Sequence, residues 1–376
     1  MKNFGRSTVS EFLGDNIIYR NLVPVDPSLP GLPDLWEEVG LFSSRVPRKT
    51  TVEYASVVAF MLRYISGQYN PGSPIKRVVF VGDTQLNDGT AFRNICRAGG
   101  WNGMAFIAGE REGPPTIEME EANPGTIVAA NRWSALKEFE RTCKQIEFHI
   151  DEGTAVLLDL DKTTLGARGR NDKVIDQVRI KAANQTICAL LGEDFDEQDF
   201  SKAYQRLNQP EFHPFTADNQ DYLVYICMIL GSGLTSLEKL VKDVQNGIMA
   251  TFDQFLAFSE DNKQKLALNL RGVHDDVFCL VSEGDPTPFK RFRREEFKQT
   301  NAHMGQLAID SPVEQLLRGE ITITQEVRQA ALGWRDRGAL LFGLSVKPDE
   351  ASIPDAELAS QGCKPIHRVE TTIVGA

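Results

Sequence analysis

The stretch Ala155–Gly166, A-V-L-L-D-L-D-K-T-T-L-G, decides how the chain is read. An apolar run, Ala155 to Leu158, leads into Asp159 and Asp161, and Thr163 follows. Residues two apart on a strand point to the same face. The two carboxylates therefore meet at the carboxyl end of a buried strand, where open α/β sheets hold their ligands.

Upstream lies R-V-V-F-V-G-D-T-Q-L-N-D-G, Arg77–Gly89. Val78 to Val81 is a continuous run of β-branched and aromatic residues, as expected of a strand buried on both faces. Gly82 allows a sharp turn, and Asp83 and Asp88 then lie on the loop at the strand's end. Before this strand, Val57, Val58, Met61, Leu62 and Ile65 recur at helical spacing. The helix starts at Thr50 or Thr51, a fitting N-cap, and is stopped by N-P-G-S-P after Tyr69. Downstream, A-L-L-F-G-L-S is an apolar strand that ends in Ser345.

Asp-x-Asp-x-Thr after an apolar strand resembles the first motif of the haloacid-dehalogenase-like (HAD) phosphohydrolases. Gly82-Asp83 followed by Asp88 resembles the fourth motif, and the strand closed by Ser345 resembles the second. The third motif is a lysine at the start of the helix that leads to the fourth-motif strand. Lys49 stands there, with Arg48 as a possible substitute. Lys162 departs from the pattern, because many HAD hydrolases have glycine at that place. The motif order is also unusual, since Asp83 precedes Asp159 in the chain. The resemblance then implies a circularly permuted core, whose last strand, within Pro365–Val374, feeds in space into residues near 45–50. It covers the α/β parts of the chain and not residues 1–45.

The implied fold is α/β: a Rossmann-like, doubly wound parallel sheet with permuted strand order and an inserted, mainly α-helical cap. The core takes residues 1–166 and 334–376, and the cap takes 167–333. Within the insertion, Val174–Leu191, Tyr222–Leu230 and Leu237–Phe258 have helical period, the last as one helix or two. Val277–Val281 reads equally as strand or helix. Residues 1–47, broken by Pro24, Pro27, Pro30 and Pro33, are expected to wrap a surface rather than join a layer.

The resemblance also implies roles. Asp159 is the nucleophile. Asp161 is the acid and then the base, and its backbone carbonyl binds Mg²⁺. Asp83 and Asp88 complete the Mg²⁺ site with Asp159, and Lys49 and Ser345 hold the transferring oxygens. Mg²⁺ suits a set of hard oxygen ligands. Thr163, Arg168 and Arg170 follow the motif closely enough to meet an anionic substrate. A second basic cluster, Lys290, Arg291, Arg293, Arg294 and Lys298, reads first as a solvated helix face. His149 reads as a surface residue at a junction. The scheme requires Asp83 to lie within on the order of 8 Å of Asp159, a side-chain-plus-metal span.

Composition narrows the partners. The 376 residues carry a net charge of −11, with 41% hydrophobic and 25% charged residues. That acidity argues against nucleic acid and anionic membranes. No apolar run approaches the roughly twenty residues that span a bilayer. The six cysteines form no C-x-x-C and read as reduced thiols of a cytoplasmic protein. The expected function is a Mg²⁺-dependent phosphatase acting on a small phosphorylated metabolite. The alternatives are phosphoryl transfer on a larger substrate, such as a phosphoprotein or nucleic-acid end, and a non-catalytic module that binds a phospho-ligand. The sequence leaves the substrate and the oligomeric state open.

Overall fold

The runs Val78–Val81 and Ala155–Leu158 lie side by side in one sheet, and every residue in both is fully buried. The structure, a computed structural model, describes residues 1–69 and 72–376. The expected stop at Asn70-Pro71 lies outside those residues. Ten strands occur among the described residues: β1 (Lys2–Ser7), β2 (Ile17–Ile18), β3 (Arg77–Gly82), β4 (Asn102–Ala108), β5 (Ile117–Glu121), β6 (Thr126–Ala130), β7 (Thr154–Asp159), β8 (Ile323–Thr324), β9 (Leu340–Leu344) and β10 (Thr371–Gly375). The main sheet has the order β2-β9-β7-β3-β4-β6-β5. It is parallel except for β5, which runs antiparallel to β6.

Parallel strands read as unbroken apolar runs because helices cover both of their faces. On one face, helix Val52–Tyr69 buries Val57, Val58, Met61, Leu62 and Ile65 against Val78, Phe80, Ala155 and Leu157. Thr51 caps this helix through its Oγ1, which accepts from the Tyr54 amide at 3.3 Å. On the other face, Phe106 packs edge-on to Trp133 and against Phe139 of helix Leu136–Gln145. Each such buried side chain contributes about 1.5–3 kcal/mol. The doubly wound α/β class is therefore as expected.

Three expectations are corrected. Residues 1–47 do join layers: β2 adds an edge strand beside β9, and β1 pairs antiparallel with β10. The last strand is not part of the main sheet. It sits in a separate three-stranded sheet of order β1-β10-β8, since Thr372–Val374 finds its backbone partners in β1 and β8.

The third correction concerns the insertion. Two compact units divide the chain, residues 1–177 with 300–376, and residues 178–299. The expected bounds of 167–333 were too wide. Gly166 donates to the Thr322 carbonyl at 2.9 Å, and Asn171 Nδ2 donates to the carbonyls of Leu317 and Glu320 at 2.7 and 2.8 Å. These bonds and β8 tie residues 317–324 to the first unit.

The second unit is helical throughout and has its own core, including Phe200, Tyr204, Phe212, Phe255 and Phe292. Val277–Val281 lies inside helix Leu268–Glu283, which settles the open reading. The expected span Leu237–Phe258 is a pair of helices, Leu237–Gln245 and Phe252–Asp261. No helix among the described residues is long and apolar enough to cross a membrane.

Candidate active site

Strands β3, β7 and β9 are adjacent and parallel, so their carboxyl ends open on the same edge of the sheet. Leu158 is in register with Val81, and Asp159 with Leu344. The chain leaves β3 through Asp83 and β9 through Ser345. Three segments far apart in sequence thus deliver their polar residues to one place.

Gly82 is needed there for space rather than for a turn. A Cβ at this position would lie 2.6 Å from the Cβ of Asp88. Asp88 folds back from a wide π-helical turn, Gln85–Gly89, a form often found at functional sites. Its Oδ2 accepts from the amides of Asp83 and Thr84, both at 2.9 Å. Its Oδ1 accepts from Lys49 Nζ at 2.6 Å, and the same ammonium donates to Asp159 Oδ1 at 2.5 Å. Lys49 and Asp159 are buried, 7% and 4% exposed. The lysine expected on sequence grounds is therefore in contact with the expected nucleophile. Arg168 donates to Asp83 Oδ2 at 2.5 Å.

Carboxylate oxygens of Asp83, Asp88 and Asp159 lie within 4.8 Å of one another, inside the required span. Crowding three acids against two cations shifts their protonation. Burial pushes Asp159 well above the usual carboxylate range; Lys49 opposes this, and Asp88 and Asp83 add to it. Burial and the neighbouring Asp88 push Asp83 up to about 7, against the pull of Arg168. Asp88 is held low, because Lys49 and the bonds at both its oxygens outweigh its burial. Burial alone would lower the Lys49 pKa, but Asp159 and Asp88 reverse this and keep the ammonium charged. The cluster is short of positive charge, and its donors are hard oxygens. Both facts fit a small divalent cation held by Asp83, Asp88 and Asp159.

The remaining candidates differ in how well they fit. Asp159 Oδ2 accepts no hydrogen bond among the described residues. Thr163 is fully buried, and its Oγ1 has no partner among the described residues. Ser345 is buried; its Oγ accepts from the Lys347 amide at 3.0 Å. Asp161 is half-buried, and its carboxylate is not one of the three clustered groups.

Arg170 is a correction. Its side chain is 2% exposed and donates to Glu326 at 2.9 Å and to Glu110 at 3.0 Å. It fastens chain segments together and has no face for a substrate. In the second basic cluster, Arg293 is similarly committed, to Asp221 at 2.8 Å and Glu296 at 2.6 Å. His149 is exposed, as expected, and all six cysteines are free.

Two residues of the site escaped sequence reasoning. Thr164 Oγ1 donates to the Asp159 carbonyl at 2.7 Å and so fixes the backbone of the candidate nucleophile. Tyr54 is buried, and Lys49, Asp159 and Asp88 all act on its hydroxyl electrostatically. Its position on the apolar stripe of its helix, five residues after Lys49, was the available signal.

In the helical unit, Glu260, His274 and Asp275 form a second acidic group. Lys263 already bridges Glu260 at 2.7 Å and Asp275 at 3.3 Å, so an ammonium takes the place of a metal. No protein-family model matches the chain, and neither a curated protein nor a solved structure matches it.

Proposed function

We propose that this protein is a Mg²⁺-dependent phosphohydrolase of the HAD type that acts on a small phosphorylated metabolite. The observation that carries the reading is the convergence of Asp83, Asp88, Lys49 and Asp159 at the ends of two neighbouring strands. A buried lysine among crowded carboxylates, one with a free oxygen, is the equipment of phosphoryl transfer to an aspartate.

Bound Mg²⁺ offsets the negative charge that a phosphoryl group brings to these carboxylates. The chain's own residues do the rest. Asp159 Oδ2 attacks phosphorus, an Asp159–phosphorus bond forms, and the bond to the leaving oxygen breaks. Asp161 donates a proton to that oxygen. It then takes a proton from water as the water attacks phosphorus, and Asp159 is released with inorganic phosphate. Lys49 neutralises charge on the transferring oxygens, and the hydroxyls of Thr163 and Ser345 donate to them. Arg168, 39% exposed, binds the incoming anion from the Asp83 side.

The inserted helical unit follows β7 in the chain, after residues 160–177, and we assign it the role of a specificity-determining cap. The cytoplasm is the compartment we propose, on the strength of six unpaired cysteines.

The test is hydrolysis of p-nitrophenyl phosphate with Mg²⁺, with chelator, and by Asp159→Asn. Turnover is expected only with Mg²⁺ and the wild-type aspartate. Full activity in Asp159→Asn removes the nucleophile assignment. A folded wild type without activity on any phosphate ester, with Mg²⁺ present, removes the reading altogether.

A further inference from the structure

The fold fixes the backbone of Arg168 and leaves the end of its side chain open. Its amide donates to the Lys162 carbonyl at 2.7 Å. Its carbonyl accepts from the Glu110 amide at 2.8 Å and from Trp133 Nε1 at 3.2 Å. The aliphatic stem runs along Gly109, where an added Cβ would come within 3.4 Å of Arg168 Cδ. At the end of that stem, Nε and Nη2 both meet one oxygen, Asp83 Oδ2, at 2.5 Å. Nη1 donates to no group among the described residues. The side chain is 39% exposed, against 2% for Arg170, whose two terminal nitrogens are spent on Glu110 and Glu326. Arg168 thus keeps donors for a second partner, and Arg170 does not.

Asp83 is the other half of the arrangement. Its side chain is 8% exposed. Its carboxylate is one of the three whose oxygens lie within 4.8 Å of one another, the set that fits a divalent cation. One carboxylate therefore answers to two cations, the guanidinium and the ion. They repel each other and draw on the same negative charge, so each weakens the other's hold on Asp83. A carboxylate neutralised by Mg²⁺ attracts a guanidinium less. A phosphoryl group, in contrast, offers fresh anionic oxygens, which a guanidinium fork binds in pairs.

We propose that Arg168 makes Mg²⁺ binding and anion binding depend on each other. Its guanidinium opposes the ion while paired with Asp83, and passes to the phosphoryl oxygens of the substrate once the ion holds that carboxylate. This rests on the metal-dependent phosphohydrolase reading of the site. It adds a coupling to that reading: through Arg168 each ligand tightens the other by the same factor.

The test is calorimetric titration with Mg²⁺, without and with saturating inorganic phosphate. It compares the wild type with Arg168→Met, which keeps the stem and removes the charge. Without phosphate the variant is expected to bind Mg²⁺ roughly threefold tighter or more, the scale of one partly exposed charge. Phosphate is expected to tighten Mg²⁺ binding in the wild type, and by a factor roughly threefold smaller or less in the variant. Arg168→Lys keeps the charge and is expected to bind Mg²⁺ alone as the wild type does. A residue that merely orients Asp83 behaves in the opposite way, because its loss weakens metal binding. An Mg²⁺ affinity in Arg168→Met that is weaker, or within about twofold of wild type, therefore overturns the proposal. So does an undiminished effect of phosphate, or an Arg168→Lys that binds Mg²⁺ as tightly as Arg168→Met. Failure of both Arg168→Met and Arg168→Gln to fold gives Arg168 a structural task and overturns it too. A wild type that binds no Mg²⁺ removes the metal reading and this proposal with it, and one that binds Mg²⁺ but no phosphate removes the phosphohydrolase reading and this proposal. A wild type that binds both, beside an Arg168→Met that binds Mg²⁺ no tighter, removes this proposal alone.

Discussion

Lys162 sits at φ 65°, a left-handed conformation that costs a residue with a Cβ about 1–2 kcal/mol. Glycine takes this conformation without strain, which is a physical reason for glycine to be common after the second aspartate of such a motif. This chain keeps lysine, whose ammonium reaches Asp176 at 2.8 Å. At ordinary helix or strand positions alanine is more stable than glycine. Here the order is expected to reverse: Lys162→Gly and Lys162→Ala both lose the ion pair, but only alanine keeps the strain. Chemical denaturation should find the glycine variant more stable by about 1 kcal/mol, and an alanine variant of equal or greater stability would refute the strain. At Lys49 the expectation is loss. Lys49→Met leaves Asp88 and Asp159 buried without their cation, a change that typically costs about 3–5 kcal/mol, measurable in the same experiment. A cost under about 1 kcal/mol would mean that the pair is not held as described.

Among the elements, the strands that carry the motifs were legible, because a fully covered strand must be an unbroken apolar run. Arg170 was not, since its partners Glu110 and Glu326 are 60 and 156 residues away and only the folded chain joins them. Nor was β2, a two-residue strand whose membership of the sheet is fixed by its neighbour β9 rather than by its own pattern. What holds the β2 segment is a polar chain. Tyr19 Oη meets His367 Nδ1 at 3.1 Å, and His367 Nε2 meets Asp15 at 3.1 Å. Burial outweighs Asp15 and holds the His367 pKa below its usual 6.5. The folded protein therefore keeps this histidine neutral, while the unfolded chain takes up a proton below about pH 6.5. The stability it contributes is present above that pH and is lost on acidification. Asp15, held low chiefly by Arg368, acts in the same direction only near and below its usual 3.8. Asp83, pushed up to about 7, titrates between pH 7.5 and pH 5.5 with the opposite sign, so the histidine is isolated by comparing two proteins across that window rather than by the window itself. Between the two pH values the wild type should lose more stability, or gain less, than His367→Gln. An equal change in both proteins would show that His367 titrates alike folded and unfolded.

At the scale of the whole molecule, two units with separate cores raise the question of which one a bound cation stabilises. Core and insertion were distinguishable in the sequence, unbroken apolar strand runs in the one against helical period in the other. Their bounds were not, because residues 317–324 are claimed by bonds to Gly166 and Asn171 that no local pattern announces. Asp83, Asp88, Asp159 and Lys49 all belong to the first unit, residues 1–177 with 300–376. A ligand that binds only the folded form stabilises it by about 2.7 kcal/mol at one hundred times its dissociation constant. For a unit of this size that corresponds to a rise of about 5–10 °C in Tm. Scanning calorimetry with and without saturating Mg²⁺ should therefore show two transitions, of which only one rises. Asp83→Asn should abolish the rise while leaving the other transition where it was. If Mg²⁺ moves neither transition, the three carboxylates do not hold the ion. If it moves the transition of residues 178–299, the ion binds in the helical unit, and the Lys263 bridge between Glu260 and Asp275 is then the arrangement to revisit. A rise confined to the first unit and lost in Asp83→Asn would locate the cation without any substrate, and so independently of which phosphate ester the protein turns over.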